Sequence, residues 1–193
     1  METKELKEKI QQLLNQKERV IIAIEGGSAS GKTTLGKELE QDFGCQVLHM
    51  DDFFLRPEQR TKERLEEPGG NVDRERFYEE VVIPLQKGKP MEYRPFDCGT
   101  FTIQPSKRIV PGNLVVVEGA YSTHPELGRY YDWSVFMDIE PELQRERILK
   151  RNGSEKAGLF FERWIPMEEK YFEVMNVKER CNMILPVSGG RKK

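Results

Sequence analysis

Eight residues near the start of the sequence have the types and spacing that bind phosphate: Gly26-Gly27-Ser28-Ala29-Ser30-Gly31-Lys32-Thr33. They fit the pattern of glycine, four residues, glycine, lysine and serine or threonine. The glycines let consecutive backbone N–H groups curl around phosphate oxygens, and the lysine carries a mobile positive charge toward the β and γ groups. We predict a nucleotide triphosphate site at residues 26–34, ending in Thr34, with the Thr33 hydroxyl on Mg²⁺.

The residues around this loop favour the same interpretation. Val20-Ile21-Ile22-Ala23-Ile24 is a continuous apolar run of the buried-strand type, and residues 34–40 continue with helical spacing. A helix that begins there points its free N–H groups and positive dipole end at the phosphates. The alternative is an ordinary glycine-rich turn between a strand and a helix.

Two carboxylates, Asp51 and Asp52, come directly after a second apolar run at residues 45–50. In an open parallel sheet, ligands collect along the edge where the strands end. A carboxylate there accepts or orients the proton of an attacking hydroxyl while a γ-phosphoryl group is transferred. Helix capping or a solvated turn is the alternative for both residues, more strongly for Asp52, so Asp51 is the predicted catalytic base.

A third acid, Glu118, ends the buried run Val115-Val116-Val117 and is followed by Gly119. This is the form of the second motif of nucleotide sites, with Glu where many such proteins carry Asp. Mg²⁺ is usually bound through one or two carboxylates plus substrate phosphates, so Glu118 is predicted to hold the ion beside Thr33. A structural acid at a strand end is the alternative.

Two arginines, Arg147 and Arg151, lie four residues apart on one face of a predicted helix that begins near Pro141. They precede a break at Asn152-Gly153-Ser154, where a lid over residues 151–160 is predicted. Arginines that close over phosphates stabilise the charge of phosphoryl transfer, so both are candidate catalytic residues together with Lys32. A solvated helix face is the alternative.

Alternating strands and helices must position these residues. Leu6, Ile10, Leu13 and Leu14 predict an amphipathic helix over residues 2–15, and further apolar runs at 114–117, 135–139 and 183–185 predict strands. This rhythm is typical of an α/β fold with a parallel sheet. The chain has the length of one domain, so residues 1–193 are predicted to fold together.

Three segments depart from that rhythm. Residues 55–73 are almost entirely charged or turn-forming and predict a mobile loop or a short exposed helix. Residues 91–110 predict an inserted β-hairpin that could cover a substrate and contribute to a homo-oligomer contact. Residues 188–193 predict a disordered tail.

Composition excludes several function classes. The formal net charge is −2, from 31 basic and 33 acidic residues, which argues against a generic nucleic-acid surface. The three cysteines are too few and too far apart for a metal site or a disulfide framework, which fits a reducing cytoplasm. No apolar stretch has the length of a membrane span, so no membrane partner is expected. His49, His124, Trp133 and Trp164 are expected to be structural.

With these motifs, the sequence resembles the uridine kinase and phosphoribulokinase group of P-loop kinases. The matching stretches recur in family order across roughly residues 20–186: residues 26–34, Met50-Asp51-Asp52-Phe53-Phe54, Tyr93-Arg94-Pro95-Phe96-Asp97, Val116-Val117-Glu118-Gly119, and Arg147 through Arg151.

The resemblance implies a P-loop NTPase fold of three α/β/α layers with a five-stranded parallel core, and ATP with Mg²⁺. It implies Asp51 as the base and Glu118 and Thr33 near the metal. It also implies an acceptor pocket; the predicted acceptor-binding residues are Asp51, Phe53, Tyr93, Phe96 and Asp97, with Arg163 as a further candidate.

Two departures from the family pattern concern the acceptor and the lid. Nucleoside kinases of the group carry a histidine a few residues past the position of Asp97, whereas this chain has Gly99-Thr100-Phe101. Their lid usually reads arginine-glycine-arginine, whereas this chain has Lys156-Ala157-Gly158.

The predicted function is therefore an ATP-dependent kinase with an alcohol group as acceptor, acting on a small metabolite such as a nucleoside or nucleoside-like molecule. Two alternatives remain open: a kinase for a non-nucleoside metabolite, and a nucleotide-binding regulatory module without phosphotransfer. A GTP-dependent switch is disfavoured because the Asp-x-x-Gly and base-reading segments of such proteins are absent from the sequence.

Overall fold

A computed structural model describes residues 2–189 of the chain. The predicted tail at residues 188–193 falls largely on residues 190–193, which lie outside the described residues. The strands are β1 (Val20–Gly26), β2 (Gln46–His49), β3 (Met91–Tyr93), β4 (Phe96–Asp97), β5 (Thr102–Ile103), β6 (Lys107–Ile109), β7 (Leu114–Glu118), β8 (Trp133–Ile139) and β9 (Met183–Val187). The α-helices are α1 (Glu2–Leu14), α2 (Lys32–Phe43), α3 (Lys62–Glu66), α4 (Arg74–Phe77), α5 (Ile83–Gln86), α6 (Pro141–Leu159), α7 (Ile165–Val174) and α8 (Val177–Arg180).

Five of the strands form one parallel sheet in the order β2-β7-β1-β8-β9, which confirms the predicted five-stranded parallel core. The register pairs Glu118 at the end of β7 with Ile24 of β1 on one side and His49 of β2 on the other. Parallel strands all end at the same edge of a sheet. The residues that follow β1, β2 and β7 therefore lie close together at that edge.

Both faces of this sheet are covered, which gives the three predicted layers. On β1, Ile22 and Ile24 pack into a cluster with Leu6 and Ile10 of α1. The alternate residues of the strand, such as Ile21, pack into a second cluster on the opposite face. A run of apolar residues with no polar alternation is expected for a strand that is buried on both faces.

The predicted insertion between a helix and the third sheet strand is a nested pair of antiparallel ribbons. Strand β3 pairs with β6, and beyond them β4 pairs with β5. The insertion thus spans residues 91–109, in agreement with the predicted hairpin.

The segment at residues 55–73 contains a short helix without buried residues, which is one of the two predicted alternatives, but its last residues are not exposed. It contains α3, but Asn71, Val72 and Asp73 are buried. Asp73 accepts a hydrogen bond from the backbone N–H of Arg76 at the start of α4, and its carboxylate also lies 3.4 Å from the Arg76 Nε. Charged residues are buried here because they pair with one another.

Helix α6 runs past the predicted break with a sharp kink instead of ending there. Gly153 has φ 72° and ψ 165°, far from helical values, and the helix resumes after it. A turn of wider helix at Phe160–Trp164 then joins α6 to α7. Within residues 2–189, no helix has the length and apolar character needed to cross a membrane.

Candidate active site

A cavity of about 910 Å³ opens at the carboxyl edge of the sheet, over the loop between β1 and α2. It brings together most of the predicted catalytic, phosphate-binding and metal-binding residues. Those that line it are Ser28, Ala29, Ser30, Gly31, Lys32, Thr33, Thr34, Asp51, Glu118, Arg147 and Arg151. Gly26 and Gly27, at the start of the loop, are buried and do not line the cavity.

The loop has the backbone geometry that its glycines allow. Gly26 has φ 141°, and a Cβ added there would lie 2.7 Å from the carbonyl oxygen of Met137, so only glycine fits. The Lys32 ammonium donates to the Gly27 carbonyl at 2.8 Å, across the mouth of the loop. The buried Ser30 hydroxyl has no hydrogen-bond partner among the described residues, and a phosphate oxygen is the kind of acceptor that it lacks.

Two side chains from distant helices hold Ser28 in the loop. The Glu168 carboxylate of α7 accepts from the Ser28 N–H at 2.8 Å and from its hydroxyl at 2.6 Å. Gln144 of α6 donates to the Ser28 carbonyl at 2.9 Å. Glu168 is buried, and burial raises its pKa, against the lowering effects of the Lys32 charge and of the Ser28 hydrogen bonds.

The two predicted lid arginines lie on α6 beside the loop but make different contacts. Arg147 donates to the Ala29 carbonyl at 3.1 Å, so it is already attached to the phosphate loop. Arg151 donates to the Asn152 side chain at 2.9 Å and lies over the ring of Phe160. Both guanidinium groups line the cavity, on the side of the loop that faces α6.

Thr33, Glu118 and His49 form a compact polar cluster. The Thr33 hydroxyl donates to Glu118 Oε1 at 3.0 Å, and His49 Nδ1 lies 2.6 Å from the same oxygen. The hydrogen bond to Glu118 raises the pKa of His49, with burial opposing it. A buried carboxylate and a hydroxyl are hard oxygen ligands, so this pair fits Mg²⁺ that is also bound by substrate phosphates.

Asp51 and Asp52 have opposite surroundings. Asp52 is paired, accepting from the Tyr93 hydroxyl at 3.0 Å and from Lys107 at 3.3 Å. Asp51 opens into the cavity, and no hydrogen bond to its carboxylate is found among residues 2–189. The protein atoms that surround it raise its pKa by desolvation, while the charge of Lys32 lowers it.

Phe53 and Tyr93 do not line the cavity. Both are buried in the core, where the Phe53 ring packs against Phe77 at 5.0 Å and against Tyr93 at 5.3 Å. Tyr93 instead fixes Asp52 through its hydroxyl. An acceptor-binding role for these two residues stays a prediction.

Phe96, Asp97 and Arg163 are also outside the cavity lining. Phe96 is buried, whereas the Asp97 carboxylate closes the hairpin turn by accepting from the Gly99 N–H at 2.7 Å. Arg163 is exposed and lies over the ring of Trp164. Their predicted contact with the acceptor likewise stays a prediction.

Five side chains at the site have no functional role predicted from the sequence: Arg60, Asn71, Tyr121 and Glu168 line the cavity, and His49 contacts Glu118. Tyr121 has φ 74°, and such strained backbone clusters at functional sites. His49 has a faint signal, because strand alternation places it on the same face as Glu118 once β2 and β7 are known to be neighbours. Glu168 has none, since it is one of many charged residues in a helical stretch.

A fully buried carboxylate, Glu25, lies beneath the cavity at the end of β1. It accepts hydrogen bonds at 3.0 Å from the N–H groups of Gly26, Tyr121 and Thr123, and a further one from the Tyr171 hydroxyl at 3.2 Å. Burial raises the pKa of Glu25 to about 6. This side chain therefore ties the start of the phosphate loop to the segment after β7.

Comparison with known proteins gives a family match. A model of the phosphoribulokinase/uridine kinase family matches residues 21–158, the segment that contains the loop, Asp51, Glu118 and Arg147.

The individual relatives described next are each less than 30% identical to this chain. A uridine kinase from Staphylococcus epidermidis is 28% identical over 193 aligned residues, which cover 89% of each chain. A bifunctional alpha-galactosidase/sucrose kinase from Mediterraneibacter gnavus is 29% identical over 83% of this chain and 19% of its own length. Among solved structures, a possible uridine kinase from Bacillus stearothermophilus superposes with a TM-score of 0.66 at 22% identity, covering 94% of this chain and 99% of the other.

Proposed function

The chain belongs to the phosphoribulokinase/uridine kinase family, and from that premise we propose that it is an ATP-dependent kinase. The γ-phosphoryl group goes to a hydroxyl of a small metabolite, a nucleoside or nucleoside-like molecule. One observation carries the proposal beyond nucleotide binding. Asp51 opens into the cavity without a partner among the described residues and close enough to Lys32 to interact with its charge, whereas Asp52 is paired.

In this reaction a bond forms between the acceptor oxygen and the γ-phosphorus, and the bond from that phosphorus to the bridging oxygen of ADP breaks. Asp51 accepts the proton of the attacking hydroxyl. Its raised pKa makes it a better base than an ordinary aspartate. Lys32 neutralises charge that develops on the phosphates, and Arg147 and Arg151 add positive charge from α6.

Thr33 and Glu118 would hold Mg²⁺, which would supply positive charge to neutralise the charge of the phosphates. His49 keeps the Glu118 carboxylate oriented through the 2.6 Å contact. Both the Thr33 and the His49 contacts fall on Oε1, and Oε2 of Glu118 accepts no hydrogen bond among the described residues.

A kinase for a non-nucleoside metabolite is the second candidate. Two observations favour it: the Asp97 carboxylate is used inside the hairpin turn, and one relative is a sucrose kinase. A regulatory module that binds nucleotide without transferring phosphate is a third outcome that the same experiment separates.

The experiment is an ATP-consumption screen with Mg²⁺ over nucleosides, nucleoside monophosphates, sugars and vitamin precursors, with the phosphorylated product identified by mass. The proposal predicts that one acceptor class stimulates ADP formation well above the rate without acceptor. Thermal stabilisation by ATP without consumption for any acceptor would instead indicate the regulatory module. Consumption only with sugars would indicate the second candidate.

A further inference from the structure

The Glu168 carboxylate lies at the cavity, beside the phosphate loop. It lies on α7 with 6% of its surface exposed, and it lines the cavity. Both its oxygens bind Ser28, through the backbone N–H at 2.8 Å and the hydroxyl at 2.6 Å. The side chain is thereby fixed at the edge of the phosphate loop.

This carboxylate keeps its charge uncompensated by a close cation. No lysine or arginine nitrogen lies within ion-pair distance of Glu168 among the residues that the structure describes. Burial raises the pKa of Glu168, and the charge of Asp51 adds to that effect, whereas the charge of Lys32 and the hydrogen bonds from Ser28 favour the ionised form. Once phosphates engage Lys32, Glu168 and Asp51 remain as two carboxylates in the lining of the same cavity.

The cationic side chains that line the cavity among the described residues are Lys32, Arg147, Arg151 and Arg60. The first three contact the Gly27 carbonyl, the Ala29 carbonyl and the Asn152 side chain, respectively. Arg60 lies just before α3. Its Nε donates to the Leu55 carbonyl at 2.9 Å, and its guanidinium lies 5.2 Å from the ring centre of Phe101 in the hairpin. Arg60 is thus directed at the hairpin and at its own loop. All four cations thus have other contacts, and Asp51 and Glu168 line the cavity without an ion-pair partner among the described residues.

Hydroxyl groups suit such a surface, because a carboxylate accepts hydrogen bonds only, with room for about four. Ser28 uses two of the positions on Glu168. Further hydroxyl donors can therefore bind to Glu168. A phosphate group carried by the acceptor would instead be repelled by the carboxylate.

We propose that Glu168 is a specificity-determining residue: its carboxylate, fixed to Ser28, makes the acceptor side of the cavity select an uncharged, hydroxyl-rich molecule over one that already carries a phosphate. This inference rests on the proposed kinase activity. It deepens that proposal by naming the charge of the acceptor and a residue that sets it.

The first test needs no turnover. The affinity for inorganic pyrophosphate, measured by calorimetry without Mg²⁺, reports the charge beside the loop. Glu168→Gln and Glu168→Ala should both bind it about three- to tenfold more tightly than wild type, because a like charge has been removed. The matched control is Glu169→Gln, a neighbouring and exposed residue that should leave the affinity unchanged. Equal affinities in all four proteins would overturn the proposal.

The second test compares acceptors in pairs that keep a free primary hydroxyl: uridine with 3′-UMP, fructose with fructose 6-phosphate, and glycerol with glycerol 3-phosphate. Wild type should consume ATP only with a neutral member. Glu168→Gln should raise the relative kcat/KM for its phosphate ester by about tenfold, while Glu169→Gln should not. Faster consumption with the esters, lost in Arg60→Gln, would overturn the proposal in favour of phosphate recognition by Arg60.

The two tests separate this inference from the function on which it rests. No ATP consumption with any compound would contradict the kinase proposal alone, since the pyrophosphate measurement would still read the charge of Glu168. Consumption that is indifferent to phosphate on the acceptor, in wild type and Glu168→Gln alike, would contradict the inference alone.

Discussion

The hydrogen bonds to the Glu25 carboxylate do not offset the effect of burial on its pKa. It is fully buried and accepts from three backbone N–H groups and from the hydroxyls of Thr123 and Tyr171, and still its pKa is raised to about 6 because burial outweighs these bonds. An unfolded glutamate titrates near 4.5. Protonation is therefore favoured by folding, and Glu25 contributes stability that is present below pH 4.5 and is lost as the pH rises through about 6.

We predict the consequence of replacing Glu25 by Gln. The free energy of unfolding of wild type, relative to Glu25→Gln, should fall by about 2 kcal/mol between pH 4 and pH 7, because the shift of the pKa corresponds to that amount. Urea unfolding of both proteins at several pH values measures it. The exposed Glu40→Gln variant is the control and should show no such change relative to wild type. A difference that is constant with pH would contradict the buried, ionisable role of Glu25.

The cluster of Thr33, Glu118 and His49 allows a prediction about Mg²⁺. Glu118→Gln should raise the Mg²⁺ concentration needed for half-maximal thermal stabilisation by ATP by about tenfold or more, because the carboxylate charge is lost. Glu40→Gln, on the same helix as Thr33, is the control. An unchanged Mg²⁺ requirement in Glu118→Gln would remove this residue from the metal site.

At the residue scale, the sequence could predict those site residues that are carried by a local pattern. Gly26 through Thr34, Asp51 and Glu118 each follow an apolar run, so their place at the sheet edge follows from the strands. Glu168 could not be predicted, because it meets Ser28 across 140 positions of sequence. Only the packing of α7 against the loop brings the two together.

Among the elements, α6 has a kink that depends on a single residue. Gly153 interrupts it with φ 72° and ψ 165°, a conformation that is close to glycine-only. The kink separates the turn that carries Arg147 and Arg151 from the turns that carry Leu159 into the cavity wall. Straightening α6 would move one of these groups relative to the other.

Gly153→Ala should therefore destabilise the protein by about 1–3 kcal/mol, since alanine is strained at this φ and ψ, and should weaken ATP binding. Gly158→Ala is a matched control in the same helix. It lies in open space at a helical position and should be neutral or stabilising by about 0.5–1 kcal/mol. Denaturant unfolding and ATP titration of both variants measure these effects. Identical behaviour of the two variants would contradict a strained kink at Gly153.

At the element scale, the existence of the strands and of the hairpin could be predicted from apolar runs and turn residues. The continuation of α6 beyond its kink could not be predicted. A glycine after a helical stretch is typical of a helix end, whereas Gly153 only bends the helix. The burial of Asn71, Val72 and Asp73 could not be predicted either, because the segment that contains them is rich in charged residues. Asp73 and Arg76 are compatible with a buried position only as a pair, which a linear pattern does not reveal.

In the whole molecule, α1 covers one face of the sheet that carries the site. Leu6 and Ile10 are completely buried against β1 and its neighbours, and Lys7 forms ion pairs with Glu38 and Asp42 of α2. We propose that α1 and the sheet belong to one domain, as predicted from chain length. A single cooperative unfolding transition is the expected behaviour of such a unit.

Leu6→Ala tests this. It should lower the free energy of unfolding by about 2–5 kcal/mol, because a fully buried leucine is truncated in a packed layer. The exposed Lys4→Ala on the same helix should change it little. Urea unfolding followed by fluorescence and by far-ultraviolet dichroism measures both. Loss of α1 in a separate, earlier transition would contradict a single domain.

For the whole molecule, the α/β class and the five parallel strands could be predicted, but the strand order could not. Parallel neighbours are set by crossovers on both faces, and the sequence lists strands only in chain order. The order β2-β7-β1 is what brings His49 to Glu118 and both to Thr33. The composition of the metal-binding cluster is thus a property of the topology.

The proposed phosphoryl transfer depends most on Asp51 acting as the base that receives the acceptor proton. The direct test is steady-state turnover with the acceptor identified in the screen, for wild type, Asp51→Asn and Asp52→Asn. Asp51→Asn should lose about 10²- to 10⁴-fold in kcat while its affinity for ATP stays nearly unchanged, because the base is removed and the phosphate loop is not. Asp52→Asn, which disturbs only the contacts with Tyr93 and Lys107, should stay within a few-fold of wild type. Full turnover in Asp51→Asn would contradict the mechanism.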